Sequence, residues 1–224
     1  MMTITPIAHF CSPLKDKFGI PRQSGIVDEL RGRIVFEPEW RNADAIRGIE
    51  GFDYLWLIWS FSKNVDAAKH ALVRPPRLGG NEYMGVFATR SSFRPNNLAL
   101  SSVRMVGIEH LPDVGTTILV SGADLMDGTP IYDIKPYIPA YDSHPGARGG
   151  FTDSYEWHPL DVSDPSSLLM SLPAVDASAI RHLLAQDPRP SYHKDPERIY
   201  GMPYGTHDIR FKVADGVAVI MEIR

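Results

Sequence analysis

Short candidate strands succeed one another through the first two thirds of this chain with no helix between them, and that succession limits the folds open to it. The anchor is Tyr54-Leu-Trp-Leu-Ile-Trp-Ser-Phe61, a continuous apolar run of strand length that fits a strand buried on both faces. Ile4 to Phe10 and Ile34 to Phe36 precede it. Met84 to Thr89, Leu98 to Ile108 and Thr116 to Val120 follow, separated by loops rich in Pro, Gly and Asn. Within Leu98 to Ile108 a period of two places Leu98, Leu100, Ser102 and Arg104 on one face. Pro136 interrupts Ile131 to Ile138 and marks an edge strand or a strand end, because proline donates no ladder hydrogen bond. Strands at this spacing predict a mainly β fold, an antiparallel barrel or sandwich, and not a Rossmann sheet.

The expected organisation is a β domain over residues 1–142, a loose connecting segment over 143–165 and a small α+β unit over 166–224. In the last part Asp176 is the expected cap of a helix that carries Ile180, Leu183 and Leu184 on one face and ends before Asp187-Pro188. Asp215-Gly216, between the alternating runs His207 to Val213 and Val217 to Ile223, predicts a hairpin.

With 224 residues, 43% of them hydrophobic, the chain can bury a core without staples. Its one cysteine, Cys11, excludes an internal disulfide and any Cys-based zinc cluster. The histidines (9, 70, 110, 144, 158, 182, 193, 207) are scattered without metal-ligand spacing, so no metal site is expected. Phosphate-loop, dinucleotide, zinc-protease and serine-elbow motifs are all missing from the sequence. No apolar run follows a basic start, and Tyr54 to Phe61 is too short to span a bilayer, so a cytoplasmic protein without a membrane partner is expected.

A pI near 6.0 argues against broad nucleic-acid binding but not against a local patch, and the sequence contains one. From Arg74 to Arg104 five arginines (Arg74, Arg77, Arg90, Arg94, Arg104) face a single acid, Glu82, in a chain whose net charge is -4. Arginine and asparagine on a backbone shaped by Pro and Gly suit recognition of an anionic or polar small molecule, or of nucleic acid.

Longer motifs narrow this. Pro21-Arg-Gln23, Ala45-Ile-Arg-Gly-Ile-Glu-Gly-Phe52 into Leu55-Trp56, Val73-Arg-Pro-Pro-Arg-Leu-Gly-Gly80, Gly85-Val-Phe-Ala-Thr-Arg-Ser91, Phe93-Arg-Pro-Asn96, Asp127-Gly-Thr-Pro130, Asp133-Ile-Lys-Pro-Tyr137 and Gln186-Asp-Pro-Arg-Pro190 together resemble the TsaA-like, or TrmO, family over nearly the whole chain. The resemblance implies a compact antiparallel β-barrel with a small α+β C-terminal appendage, assembled as a homodimer. It also implies an S-adenosylmethionine-dependent methyltransferase acting on the N6 of threonylcarbamoyl-adenosine beside the anticodon of a threonine tRNA.

By the same resemblance, the residues expected to hold S-adenosylmethionine are Pro21, Arg22, Gln23, Ser62, Lys63, Arg90, Leu100 and the loop Ser121, Gly122, Ala123, Asp124. Arg94, Asn96 and Asp127 are the candidates for the reacting site, Asp127-Gly128 reading more readily as a tight turn. Arg74 and Arg77 fall to loop shape or tRNA, and the segment Gln186 to Arg198 is a candidate stacking and phosphate surface or a loop packed on the barrel. The general base is unassigned. Two positions depart from the family pattern: Ser62-Lys63 stand where histidine and a polar residue are common, and Asn97 replaces a proline, losing a fixed φ and gaining a donor. A noncatalytic barrel that binds RNA or S-adenosylmethionine is the alternative these departures leave open, and methylation of a different small substrate is a third.

Overall fold

The computed structural model describes residues 3–64, 70–75, 82–154, 157–190, 193 and 195–224. Eight strands occupy the first part: β1 (Ala8–Cys11), β2 (Arg31–Phe36), β3 (Tyr54–Ser60), β4 (Leu72–Val73), β5 (Met84–Gly85), β6 (Leu98–Leu111), β7 (Gly115–Ser121) and β8 (Thr129–Pro136). Six of them close on themselves in the order β1-β2-β7-β6-β3-β8, every neighbouring pair antiparallel. Closure leaves no strand edge to pair with a stranger.

Alternation, not uniform burial, builds the wall. In β3 the inward residues Leu55 and Leu57 are fully buried and Trp59 nearly so, whereas Tyr54 is exposed and Trp56 and Ile58 are half-buried on the outer face. The expectation of a strand buried on both faces is corrected: this strand is apolar on both faces and sealed on one. Inward residues of the other strands, among them Ala8, Phe10, Ile34, Val103, Ile118, Val120 and Ile131, complete the core. Phe10 fits only because β2 offers Gly32, where an added Cβ would stand 2.2 Å from Phe10 Cζ.

Element bounds differ from the sequence pattern for physical reasons. β1 begins at Ala8 rather than Ile4, since Pro6 has no N–H to donate and the ladder opens with Ile7 N–H to the Ile131 carbonyl, 2.8 Å. Met84 to Thr89 forms only the two-residue strand β5, because Val86–Ala88 wind into a 3₁₀ turn closed by Thr89 N–H to the Val86 carbonyl. Pro136 is the last residue of β8, a strand end rather than an edge, for β8 is flanked by β1 and β3.

Beyond the barrel come α1 (Pro139–Asp142), β9 (Asp161–Ser163), α2 (Ala174–Ala185), β10 (Tyr200–Tyr204), β11 (His207–Ala214) and β12 (Val217–Ile223). The second sheet runs β10-β11-β12-β9, with the β11–β12 hairpin turning on Asp215 (φ 49) and Gly216 (φ 77), the left-handed pair that a two-residue type I′ turn requires. α2 buries Ala179, Ile180, Leu183 and Leu184 and stops at Asp187 (φ 46), after which Pro188 cannot continue it. Asp176 is not its cap: the helix starts at Ala174 behind Pro173, and Asp176 in the first turn accepts from the Tyr204 hydroxyl at 2.9 Å. The core of this unit also contains Leu14, Val27 and Leu30, which belong to the β1–β2 connection.

Gly32→Ala is expected to destabilise the protein by about 1–3 kcal/mol, the range for overpacking a filled core, read as a lowered midpoint in urea unfolding. Pairing it with Phe10→Leu should recover part of that loss.

Candidate functional site

Antiparallel order decides which connections share an end of the barrel. The β1–β2, β3–β6 and β7–β8 connections, residues 12–30, 61–97 and 122–128, all emerge at one end. β7 and β8 stand on opposite sides of the ring, so residues 122–128 must cross that open end. They plug it with Ala123 and Leu125, both members of the barrel core. The crossing backbone is satisfied by the β1–β2 connection: Gly122 N–H donates to the Leu30 carbonyl (3.0 Å), Gly25 N–H to the Gly122 carbonyl (2.8 Å) and Asp127 N–H to the Leu14 carbonyl (2.9 Å). Gly122 holds φ 74, a conformation any side chain would strain.

One polar line enters this plug. The Trp59 indole N–H donates to Ser101 Oγ at 2.9 Å, and the Ser101 hydroxyl donates to Asp124 Oδ1 at 2.6 Å. Indole can only donate, which fixes the direction of both bonds. Burial raises the Asp124 carboxyl above the ordinary range for aspartate; the bonds from Ser101, its own backbone and the Ser24 backbone, together with the Arg90 charge, oppose that rise without cancelling it. Arg90 in turn donates to Gln23 Oε1. Gln23, Arg90 and Asp124, from three separate connections, therefore form one cluster at the plugged end.

Behind it the β3–β6 connection is tied by Asn64. Its side-chain nitrogen donates to Ser92 Oγ (2.5 Å), its oxygen accepts from Lys17 Nζ (2.6 Å), and its carbonyl accepts from Asn97 Nδ2 (2.9 Å). Lys17 also reaches the Lys63 carbonyl at 3.3 Å, so the Ser62–Asn64 turn is fastened to the β1–β2 connection by main chain. Asn97 sits at φ 52, closed to proline, and the donor it brings is the one that holds Asn64. Arg94 braces the same loop through the Thr89 and Ser91 carbonyls at 2.9 and 3.3 Å, while Asn96 is exposed beside it. Arg74 lies with its Cζ 4.5 Å over the Tyr83 ring; Arg77 is outside the described residues.

The other expected site residues divide. Pro21 is buried, and Arg22 turns away from Gln23 to lie 4.6 Å over the Trp157 ring. There it lines a cleft of about 550 Å³ together with Lys17, Phe18, Gln186, Pro188 and Arg189, whose guanidinium is paired side-on with Asp187 at 2.8 and 2.9 Å. Tyr192 and Lys194, part of the stacking surface expected here, are outside the described residues. Leu100 faces outward from β6 opposite Ile58, 52% exposed, on the other side of the strand from Ser101. Asp127 accepts from Ser12 N–H at 2.9 Å and serves the turn at Gly128 (φ 74). Burial raises the thiol pKa of Cys11, and Asp127 adds to it, which suppresses the reactive thiolate. Ser101 and Asn64 were not singled out from sequence. The signal for Ser101 was a hydroxyl on the inward face of a strand between Ala99 and Val103; Asn64 carries no such signal.

An antiparallel barrel whose ligand-competent groups gather on the connections at one end defines a small-ligand-binding barrel, here with an α+β unit packed on the same connections. Two family models match: the tRNA-methyltransferase O N-terminal domain over residues 9–143 and the TrmO C-terminal domain over residues 169–224. The chain belongs to the tRNA-methyltransferase O family. It is 39% identical over 213 residues to the tRNA (adenine(37)-N6)-methyltransferase of Escherichia coli, covering 91% of this chain and 90% of the other. A Pseudomonas aeruginosa protein, provisionally named as an S-adenosylmethionine-dependent methyltransferase, is 37% identical over 216 residues, covering 93% and 91%. The crystal structure of TrmO from Pseudomonas aeruginosa superposes with a TM-score of 0.80 at 28% identity, covering 100% of this chain and 98% of that one.

Asn97→Pro is expected to cost about 3 kcal/mol or more and to loosen the loop, since φ 52 is closed to proline, whereas Asn97→Gly keeps the conformation and loses only the bond to Asn64, about 1 kcal/mol. Urea unfolding of the two variants checks the order.

Proposed function

We infer that this chain is an S-adenosylmethionine-dependent methyltransferase that modifies the N6 of threonylcarbamoyl-adenosine beside the anticodon of a threonine tRNA. The observation that carries the reading is the Gln23–Arg90–Asp124 cluster at the plugged barrel end, formed by residues of the matched family motifs. Its donor set fits the cofactor: Arg90 and Gln23 offer planar donors for a carboxylate, and the Gly122-Ala123 backbone allows close approach. Pro21, Arg22, Ser62, Lys63, Leu100 and Ser121 are the remaining proposed contacts. When bound, S-adenosylmethionine supplies a methyl group activated by its positive sulfur.

The protein's own part is chiefly positioning, and alignment of two reactants can supply about 7–11 kcal/mol of barrier lowering. Asn64, Lys17 and Asn97 hold the Arg90–Asn96 loop against the Pro21–Gln23 loop, so donor and acceptor sites keep one geometry. Arg94 and Asn96 form the rim where an unstacked base and its threonyl carboxylate are read by stacking and edge hydrogen bonds. Arg22, Lys17 and Arg74 provide positive charge for the phosphates nearby. We read residues 1–142 as the cofactor-binding barrel, 143–165 as the connecting segment and 166–224 as a small α+β C-terminal domain. The exposed apolar residues Tyr54 and Val106 on the outer wall support a homodimer that covers them. A cytoplasmic location suits an enzyme that meets tRNA; among the described residues no helix is long and apolar enough to cross a membrane.

The deciding experiment transfers labelled methyl to threonine tRNA that carries or lacks the threonylcarbamoyl group: label on the modified tRNA alone is expected. Tight binding of S-adenosylmethionine without transfer would favour a noncatalytic barrel, and label on both tRNAs or on neither a different substrate. Arg90→Ala should weaken S-adenosylmethionine binding at least about tenfold by calorimetry, the loss of one charge-assisted bond. Affinity for tRNA should fall steeply as salt rises.

A further inference from the structure

Asp124 has a property that anchoring the cofactor does not require. Its carboxylate sits at the end of a fixed relay, Trp59 to Ser101 to Asp124, inside the segment that plugs the barrel. An acceptor for the cofactor's amine or ribose works best fully ionised and solvated enough to remain so. This one is half-buried and bonded to the buried Ser101 hydroxyl, so its charged form costs more than in water even with three donors and Arg90 nearby. The other described carboxylates on these connections are differently placed: Asp127 is committed to Ser12 N–H, Asp16 to Phe18 N–H, Glu29 to His182 and Ser178, and Glu82 is exposed. Asp28 is exposed, its Oδ1 3.6 Å from where a Gly122 Cβ would stand. Arg90 is thus the charged side chain that bears on Asp124 from the elements packed around it.

We propose that Asp124 is the general base of the methyl transfer, receiving the proton of the acceptor nitrogen at the plugged barrel end. The inference rests on the methyltransferase reading above. In the step, the N–H bond of the acceptor breaks and nitrogen's electron pair forms the new N–CH3 bond. The C–S pair stays on sulfur, leaving a neutral thioether, and the proton passes to a carboxylate oxygen of Asp124, leaving a neutral carboxyl. One positive and one negative charge disappear together, a change that a partly desolvated site favours over open water. Ser101 holds the carboxylate from the side facing the barrel interior, where Ser101 is 2% exposed, so no proton escapes inward. The Asp124 proton afterwards returns to solvent through the open side.

Three variants of the full chain test this. Asp124→Asn keeps an acceptor for the Ser101 hydroxyl and should bind S-adenosylmethionine within about threefold of wild type by calorimetry, while single-turnover transfer to the modified tRNA falls about 10²- to 10⁴-fold, the range for a lost general base. Asp124→Glu should recover part of that rate. In wild type the rate should rise with pH through a pKa above the ordinary aspartate value and then level off. Ser101→Ala, which removes a bond that favours the ionised form, should move that limb to higher pH.

A further readout needs no ligand. The raised carboxyl pKa means the folded apo protein holds its proton more tightly than the unfolded chain, so stability is lost as pH rises from the unfolded to the folded pKa. Asp124→Asn should abolish that loss and melt no lower than wild type at pH 8. A melting temperature clearly below wild type would mark Asp124 as a structural residue and overturn the proposal. Loss of S-adenosylmethionine binding in Asp124→Asn would make it a cofactor anchor, and an unchanged transfer rate would make it a bystander; either result overturns the proposal while leaving the methyltransferase reading intact. Failure of wild type to transfer methyl to any tRNA removes the reading and the proposal together.

Discussion

The site depends on one topological necessity: β7 and β8 lie across the barrel from each other, so the chain joining them must pass over its end. A segment in that place has to bury apolar side chains below and satisfy its backbone above. Ala123 and Leu125 do the first, and the β1–β2 connection does the second, accepting from Gly122 and Asp127 and donating through Gly25. The opposite end obeys the same rule, since β2 and β3 also face each other across the ring and their connection fills that mouth with Ile46, Ile49 and Phe52. The two plugs differ in polarity. One is apolar; the other carries Asp124, which no packing argument demands.

Half-burying a carboxylate carries a standing cost, offset by the Ser101 hydroxyl and backbone donors but not removed. The surrounding loops share the burden of geometry. Lys17, Asn64, Ser92 and Asn97 form a knot that joins two connections, so a displacement of either is felt by Arg90 and Gln23, which meet across the gap. Rigidity of this kind suits a reaction whose rate comes from alignment.

Much of this was legible in the sequence. The succession of short strands without helices gave the β class, and the Asp215-Gly216 hairpin formed where its dipeptide placed it. Period two correctly put Leu98, Leu100, Ser102 and Arg104 together, yet it also implied that Ser101 faces inward, where a lone hydroxyl needs a partner. What a pattern could not supply was the ring's order, and therefore which three connections share an end. Local signals misled where a tertiary partner decided the outcome: Asp176 looked like a helix cap, but Tyr204 claims it from another element. Arg22 and Gln23 are neighbours in one motif and point into different clefts, a separation no spacing rule reveals.

The β1–β2 connection has two masters. Leu14, Val27 and Leu30 lie in the core of the α+β unit, while the stretch between them ends in the bonds that seat the barrel plug. Gly19 packs so closely on Met202 that a Cβ there would come within 2.7 Å of its side chain. The C-terminal unit is therefore part of the mould in which the barrel end is cast. Shearing it away would strip the apolar backing from the Pro21–Gln23 loop, and fraying of the C-terminal unit would be registered as a change of shape in a connection that precedes β2. In evolutionary terms the two units cannot drift independently: a substitution that reshapes the floor beneath α2 reaches the plugged barrel end through nineteen residues of shared chain.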